Sequence, residues 1–378
     1  MNPALRIGAV GFGLIAVCYG FARFAFGLFL PQIDNDLSLG PSLSGIISGG
    51  AFAGYCVAII ASAALTERIG ARAIATAAAI IAAIGMAGIA LAPSPMLLAA
   101  AVMVAGLSTG LASPPMAAAV AAAVAKSRQD ATNTTINAGT SAGVALSGTV
   151  ALAMAGQWRL AFGAFAVVAV VVAASAAVSL PTSQGGISES GLPPMSKPVL
   201  RLIAASFLMG AASTALWSFG GQLVSERLGW GPTGAGILWS CIGIGGIAGA
   251  WAGTLVNRFG LDCVHFVCLA LMAGCILAVG SSITTPAIAL IGGALFGAAY
   301  VMLTGVYLIW GVRALSDRPA TGLMIGFLTM AVGQTAGAPV FGILMAGPGA
   351  RLAVTCFAAL ALLSGCFRAK SAIAVISA

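Results

Sequence analysis

The sequence predicts an all-α membrane protein, with twelve transmembrane helices in two six-helix, pseudo-symmetric bundles. Three observations carry this reading. The 378 residues are 60% hydrophobic and only 6% charged, whereas a soluble domain carries about 25% charged residues and needs them to cover its surface. The apolar residues fall in continuous runs, each long enough to cross hydrocarbon, rather than in the ten-residue alternations of a membrane barrel. Landmarks of the first half recur in the second at a nearly constant offset.

In chain order the runs are 7–31, 43–65, 73–92, 96–125, 132–155, 160–180, 199–224, 233–255, 263–281, 286–312, 320–346 and 350–368. Each supplies the roughly 20 residues that a crossing needs. The first is no signal peptide, because it is too long, contains Arg23 and lacks a small-residue cleavage site. In the fourth, Pro114-Pro115 predicts a kink or an interruption.

The connections test this division. With a cytoplasmic N-terminus, the inner segments hold Arg6, Arg68, Arg72, Lys126, Arg128, Lys197, Arg201, Arg258, Arg313, Arg318, Arg368 and Lys370. The outer segments hold Arg159, Arg227 and Arg351. This bias follows the positive-inside rule, so both termini are expected in the cytoplasm of a multi-pass cell-membrane protein. It also accounts for the net charge of +8 without nucleic acid. A Pro/Gly/Ser-rich stretch from Pro181 to Pro198 reads as a flexible cytoplasmic linker. The expected domains are therefore an N-terminal bundle (1–180), the linker (181–198) and a C-terminal bundle (199–378).

Four matches relate the halves. Gly40-Pro41 and Gly45 recur as Gly231-Pro232 and Gly236, and Glu67-Arg68-Ile69-Gly70 as Asn257-Arg258-Phe259-Gly260. Pro95 and Gly106 recur as Pro286 and Gly297, and Gly139, Gly143 and Gly148 as Gly333, Gly337 and Gly342. Such like-oriented repeats are a transporter architecture, with the substrate site near the midplane between the halves.

Arg23 is the one charge deep inside an apolar run. An arginine near the bilayer centre costs roughly 2.5–3.5 kcal/mol on insertion scales. Asp34 and Asp36 follow it by 11 and 13 residues, roughly 16–20 Å along a continuous helix and out of reach. No other Asp or Glu lies deep in a span. A buried guanidinium without a carboxylate points to an anion supplied from outside; the competing reading is a structural arginine on backbone carbonyls or snorkelling outward. Helical spacing puts Tyr19, Arg23, Phe26 and Gly27 on one face. Thr109, Asn137 with Ser141, Trp217 with Ser213, the stripe Tyr300, Thr304, Tyr307, and Gln334 are further candidates for a midplane cavity. Each also reads as a helix-packing residue. The Gly-x-x-x-Gly pairs read as sites of close helix approach.

His265, the only histidine, reads as a peripheral or packing residue, and the eight cysteines as small hydrophobes in helices. No metal cluster, nucleophile with a base, or phosphate loop is present, so neither an enzyme nor an ATP-driven pump is expected, and no cofactor.

The loop Ala63-Ala64-Leu65-Thr66-Glu67-Arg68-Ile69-Gly70-Ala71-Arg72 resembles the Gly-x-x-x-Asp-Arg-x-Gly-Arg-Arg loop of the major facilitator superfamily. Ala63, Glu67 and Ala71 depart from it. The second copy, Gly253 to Gly260, keeps the glycine but has Asn257 at the acidic position. The stretch Gly20-Phe21-Ala22-Arg23-Phe24-Ala25-Phe26 with Leu30-Pro31 resembles the bacterial YbfB-like branch, which implies a bacterial inner membrane. The resemblance implies alternating access between two bundles, and gating by Glu67, Arg68, Gly70, Arg72, Asn257 and Arg258. It implies that the Glu67 carboxylate engages the start of the eleventh span, near Thr321-Gly322, in the outward-facing state. Proton coupling is the family default, yet Val102 stands where many proton-driven members have arginine, and the spans lack a carboxylate. The fifth span also lacks the proline common in exporters.

The expected function is secondary or facilitative transport of a small molecule, an organic anion on account of Arg23, by a monomer. The alternatives are a proton-antiporting efflux pump for neutral or cationic compounds and a non-transporting membrane sensor.

Overall fold

The computed structural model describes residues 3–154, 156–182 and 195–369. Most of the expected linker, 183–194, lies outside the described residues. The described chain is helical: α1 (Pro3–Leu37), α2 (Gly40–Ile69), α3 (Ala71–Leu91), α4 (Pro95–Ala123), α5 (Lys126–Ala153), α6 (Trp158–Ser179), α7 (Lys197–Trp217), α8 (Gly220–Leu228), α9 (Pro232–Phe259), α10 (Leu261–Gly280), α11 (Pro286–Ala314), α12 (Pro319–Ala346) and α13 (Ala350–Ser364). Eleven helices are long and apolar enough to span a membrane, and α13 is a shorter apolar helix. This agrees with the twelve runs, because α7 and α8 together form the seventh.

Three local features refine this picture. Pro114 and Pro115 do not interrupt α4. The seventh run does not stay continuous; it breaks at Ser218–Phe219, and the break presents the Trp217 carbonyl to Gly27 of α1. Within α1, Ala16–Phe24 winds as a π-helix, a form concentrated at functional sites. There the Thr109 hydroxyl donates to the Cys18 carbonyl (2.8 Å), and a Cβ at Gly20 would stand 2.3 Å from the Gly143 backbone.

The internal repeat is written in the backbone. Positive φ recurs at Ser38 and Gly229, at Gly70 and Gly260, and at Gly156 and Gly349. Gly70 (φ 89°, ψ 154°) and Gly260 (φ 84°, ψ 153°) are nearly superposable turns, in a region essentially restricted to glycine. Proline opens helices at matching points, with Ser94 capping α4 and Thr285 capping α11. Glycine packing repeats as well. Gly139 and Gly143 of α5 lie against the Phe12 and Ala16 carbonyls of α1, and Gly333 and Gly337 of α12 against Phe207 and Ala211 of α7. Missing side chains let backbones approach where hydrocarbon offers no hydrophobic drive between helices.

The third glycine of each set faces the other half. Gly148 meets the Gly236 carbonyl of α9, and Gly342 meets the Pro41 carbonyl of α2. Gly27 against Trp217, Gly221 against the Gly27 carbonyl, Gly45 against Ala338, and a 2.6 Å Ser48–Ser218 hydroxyl bond complete this seam. All these contacts lie toward the face opposite the chain ends. Toward the other face, Asp130, Thr134 and Asn137 of α5 and Thr254 and Asn257 of α9 are exposed.

Candidate functional site

Arg23 is held on the π-helical stretch of α1 and is only 6% exposed. Among the described residues it is the sole buried Lys, Arg, Asp or Glu. Its Nη2 donates to the Oε1 of Gln334, on α12 of the other half. The Gln334 amide then donates to Ser213 Oγ (3.2 Å) and to the Tyr300 hydroxyl (3.2 Å). Ser213 lies near the repeat counterpart of Arg23, so one glutamine joins the charged position to its uncharged equivalent.

Four rings surround the guanidinium, with Cζ 4.5 Å from the centroid of Tyr55, 4.9 Å from Phe52, 5.0 Å from Phe24 and 5.7 Å from Tyr19. Cation–π contacts contribute ~0.5–2 kcal/mol each, and a hydrogen bond to a charged group ~1.5–3 kcal/mol. Together they offset the insertion cost of the arginine, so that cost alone does not require a ligand. The donor count is not balanced. Among the described residues, Arg23 Nε is buried with no partner, and so are the indole nitrogens of Trp217 and Trp239. These donors line one aromatic run: Phe24 stacks on Trp217 at 4.1 Å, and Trp217 meets Tyr300 at 5.1 Å, Phe296 at 5.5 Å and Trp239 at 6.4 Å.

Below the cluster, toward the chain-end face, Tyr19 is half-buried and its hydroxyl pairs with Ser113 Oγ at 2.9 Å. Cys56 and Thr335 meet there across the two halves, with a 3.9 Å sulfur–oxygen contact.

Arg23, Tyr19, Ser213, Trp217, Tyr300 and Gln334 thus come together, and Phe26, Thr109, Asn137, Thr304 and Tyr307 fall elsewhere. Phe26 is buried without a ring partner among the described residues. Thr109 is fully buried and ties α4 to α1. Asn137 is exposed nearer the chain-end face. The α11 stripe divides, because seven residues carry it roughly 10 Å along the axis into a different layer. Thr304 bonds back to the Tyr300 carbonyl (2.9 Å). Tyr307 is locked inside the second half by His265 Nε2 (3.0 Å), the Ala205 carbonyl (3.2 Å) and Ser364 Oγ (3.2 Å). His265 is therefore a packing residue, fully interior rather than peripheral. Phe24, Phe52 and Tyr55 also belong to the cluster, and apolar rings in apolar runs carry no distinguishing signal; Ser113 joins it through Tyr19 and is one small residue among many in α4.

The loop residues sit at the chain-end face. Glu67 is half-buried, with no hydrogen bond or ion pair among the described residues. Arg68, Asn257 and Arg258 are exposed, Arg72 is half-buried, and Arg258 Cζ lies 5.3 Å from the Phe259 centroid.

Solved structures share this architecture at low identity. A bacterial homologue of the human lysosomal transporter Spinster, inward-facing and occupied, is 16% identical with a TM-score of 0.75, covering 96% of this chain and 95% of its own. The nucleoside transporter NupG is 13% identical with a TM-score of 0.76, covering 97% and 98%. The partially occluded, inward-open xylose transporter XylE of E. coli is 14% identical with a TM-score of 0.76, covering 97% and 98%. These likenesses show the fold alone. No curated protein matches the chain in sequence. The Major Facilitator Superfamily profile matches residues 12–331. With most of its length so matched, the chain is a multi-pass membrane transporter of the Major Facilitator Superfamily.

Proposed function

We propose that the protein carries a small organic anion by alternating access, as a monomer of the YbfB-like branch in a bacterial inner membrane with both termini cytoplasmic. It acts as a transporter and not as an enzyme. Bundles 1–180 and 199–378, joined by the linker 181–198, rock about the midplane. The observation that carries this reading is Arg23: a buried guanidinium between the halves, with a neutral side-chain partner and an unpartnered Nε–H. A carboxylate accepts two parallel bonds from such a fork, whereas the Gln334 oxygen takes one.

The seam opposite the chain ends and the exposed polar residues of α5 and α9 support an inward-facing conformation. In it Glu67 is unpaired; in the outward-facing state it engages the start of α12 near Thr321. The outer carboxylates are already engaged. Asp34 accepts from the Gly40 amide (2.7 Å), Asp36 from Trp158 Nε1 (2.7 Å) and Glu226 from Gln222 Nε2 (3.1 Å).

The test is uptake into proteoliposomes from a panel of organic anions, neutral solutes and cations, with and without a pH gradient. Anion uptake that saturates and is blocked by competing anions is the expected result. Movement of cations only would overturn the proposal.

A further inference from the structure

We infer that the transported anion is a singly charged carboxylate on a flat, apolar body. This rests on the organic-anion reading above and narrows it. Three features of the cluster set the class.

The first is charge. Arg23 is the one buried charged residue among the described residues. A second carboxylate, or a doubly charged phosphate, would enter low dielectric without a counter-ion and so bear an uncompensated desolvation penalty. The second is donor balance. Arg23 Nε, Trp217 Nε1 and Trp239 Nε1 are buried without acceptors. No orphaned acceptor lies among the residues tied to Arg23 and Trp217, since Gln334, Ser213 and Tyr300 are already bonded to one another. A ligand suited to this cluster brings acceptors and no additional donors, as an ionised carboxylate does.

The third is shape. The walls are aromatic: Tyr19, Tyr55, Phe24, Trp217 and Tyr300 all lie in ring contact with Arg23 or with each other. Tyr19 and Tyr55 meet edge-on at 6.4 Å, and Tyr19 is half-buried on the side facing the chain ends. A planar ring adds to such a run by offset stacking, a gain beyond area burial; a puckered or branched body does not stack in this way. In this arrangement the carboxylate accepts from the free Arg23 Nε–H beside the Gln334 contact, and the body lies against Tyr19, with Cys56 and Thr335 beside it.

The experiment is ligand binding by the full-length protein in lipid nanodiscs, read by quenching of tryptophan fluorescence and, independently, by shift of the unfolding temperature. The flat monoanions are benzoate, 2-naphthoate and cinnamate. The comparators are cyclohexanecarboxylate, terephthalate, benzamide and inorganic phosphate. At least one flat monoanion is expected to bind tenfold or more tightly than cyclohexanecarboxylate and terephthalate. Its binding is expected to be lost in Arg23→Gln, with the unfolding temperature of the unliganded variant showing that it folds.

Arg23-dependent binding in which cyclohexanecarboxylate or terephthalate matches the flat monoanions overturns the narrower class and leaves the anion reading standing. Binding of benzamide equal to that of benzoate, and unchanged in Arg23→Gln, overturns both. Binding of none of the three flat monoanions overturns the narrower class.

Discussion

Replacing Gln334 by Glu tests how Arg23 is used. In the structure a neutral amide oxygen accepts from the guanidinium. Glutamate is nearly isosteric and puts a full negative charge at the same place. Two unit charges 4 Å apart interact by ~4 kcal/mol at an effective dielectric of 20. A substrate carboxylate must compete with that internal ion pair. At 1.4 kcal/mol per tenfold change, the loss of anion affinity is of the order of a hundredfold, after allowing for desolvation of the new charge. The new pair also stabilises the unliganded protein, so the variant is expected to unfold at a higher temperature and to need about a hundredfold more anion for the same gain. The wild type gains stability with ligand concentration because ligand binds only the folded state. The assay is thermal unfolding in nanodiscs across an anion titration. A Gln334→Glu protein that binds and responds to the anion like wild type would refute the reasoning.

Other outcomes follow from the seam, the loop and the second-half interior. Gly27→Val places a Cβ about 2.0 Å from the Trp217 carbonyl oxygen, an overpacking cost of ~1–3 kcal/mol in the sealed state alone; a cysteine at position 218 should become reactive from the opposite face, and unchanged reactivity would count against the seam. Glu67→Gln is expected to shift the population further toward the sealed conformation in the same labelling assay, and no shift would remove the gating role. Gly70→Ala, at φ 89° and ψ 154°, should lower stability by ~1–3 kcal/mol, read as a fall in unfolding temperature. Tyr307→Phe removes a hydroxyl shared by His265, Ser364 and the Ala205 carbonyl. It should destabilise by ~1–3 kcal/mol while leaving the transport KM unchanged, and a raised KM would return Tyr307 to the substrate path.

The architecture was legible because burial in lipid imposes long apolar runs and because glycine and proline mark helix ends. Gly70 and Gly260 repeat in sequence and adopt nearly the same turn. The Gly-x-x-x-Gly pairs were readable as close contacts, and they are. Arg23 stood out because its charge is anomalous where it lies. What surrounds it did not stand out. Tyr55 and Phe52 are ordinary apolar residues until α2 is placed beside α1. The α11 stripe misled because helical spacing defines a face but not a depth, and Tyr307 lies in a layer closed by α7, α10 and α13. The π-helix in α1 and the break at Ser218–Phe219 coincide with tertiary contacts to Thr109 and Gly27 that no local pattern encodes.

The role proposed for the Arg23 guanidinium is to bind the transported anion. The most direct measurement is substrate exchange in proteoliposomes by wild type, Arg23→Lys and Arg23→Gln, each verified as folded by its unfolding temperature. Lysine keeps the charge but not the planar fork, so it is expected to exchange anion with a raised KM, and glutamine is expected to exchange none. Exchange by Arg23→Gln at the wild-type rate and KM would contradict the account.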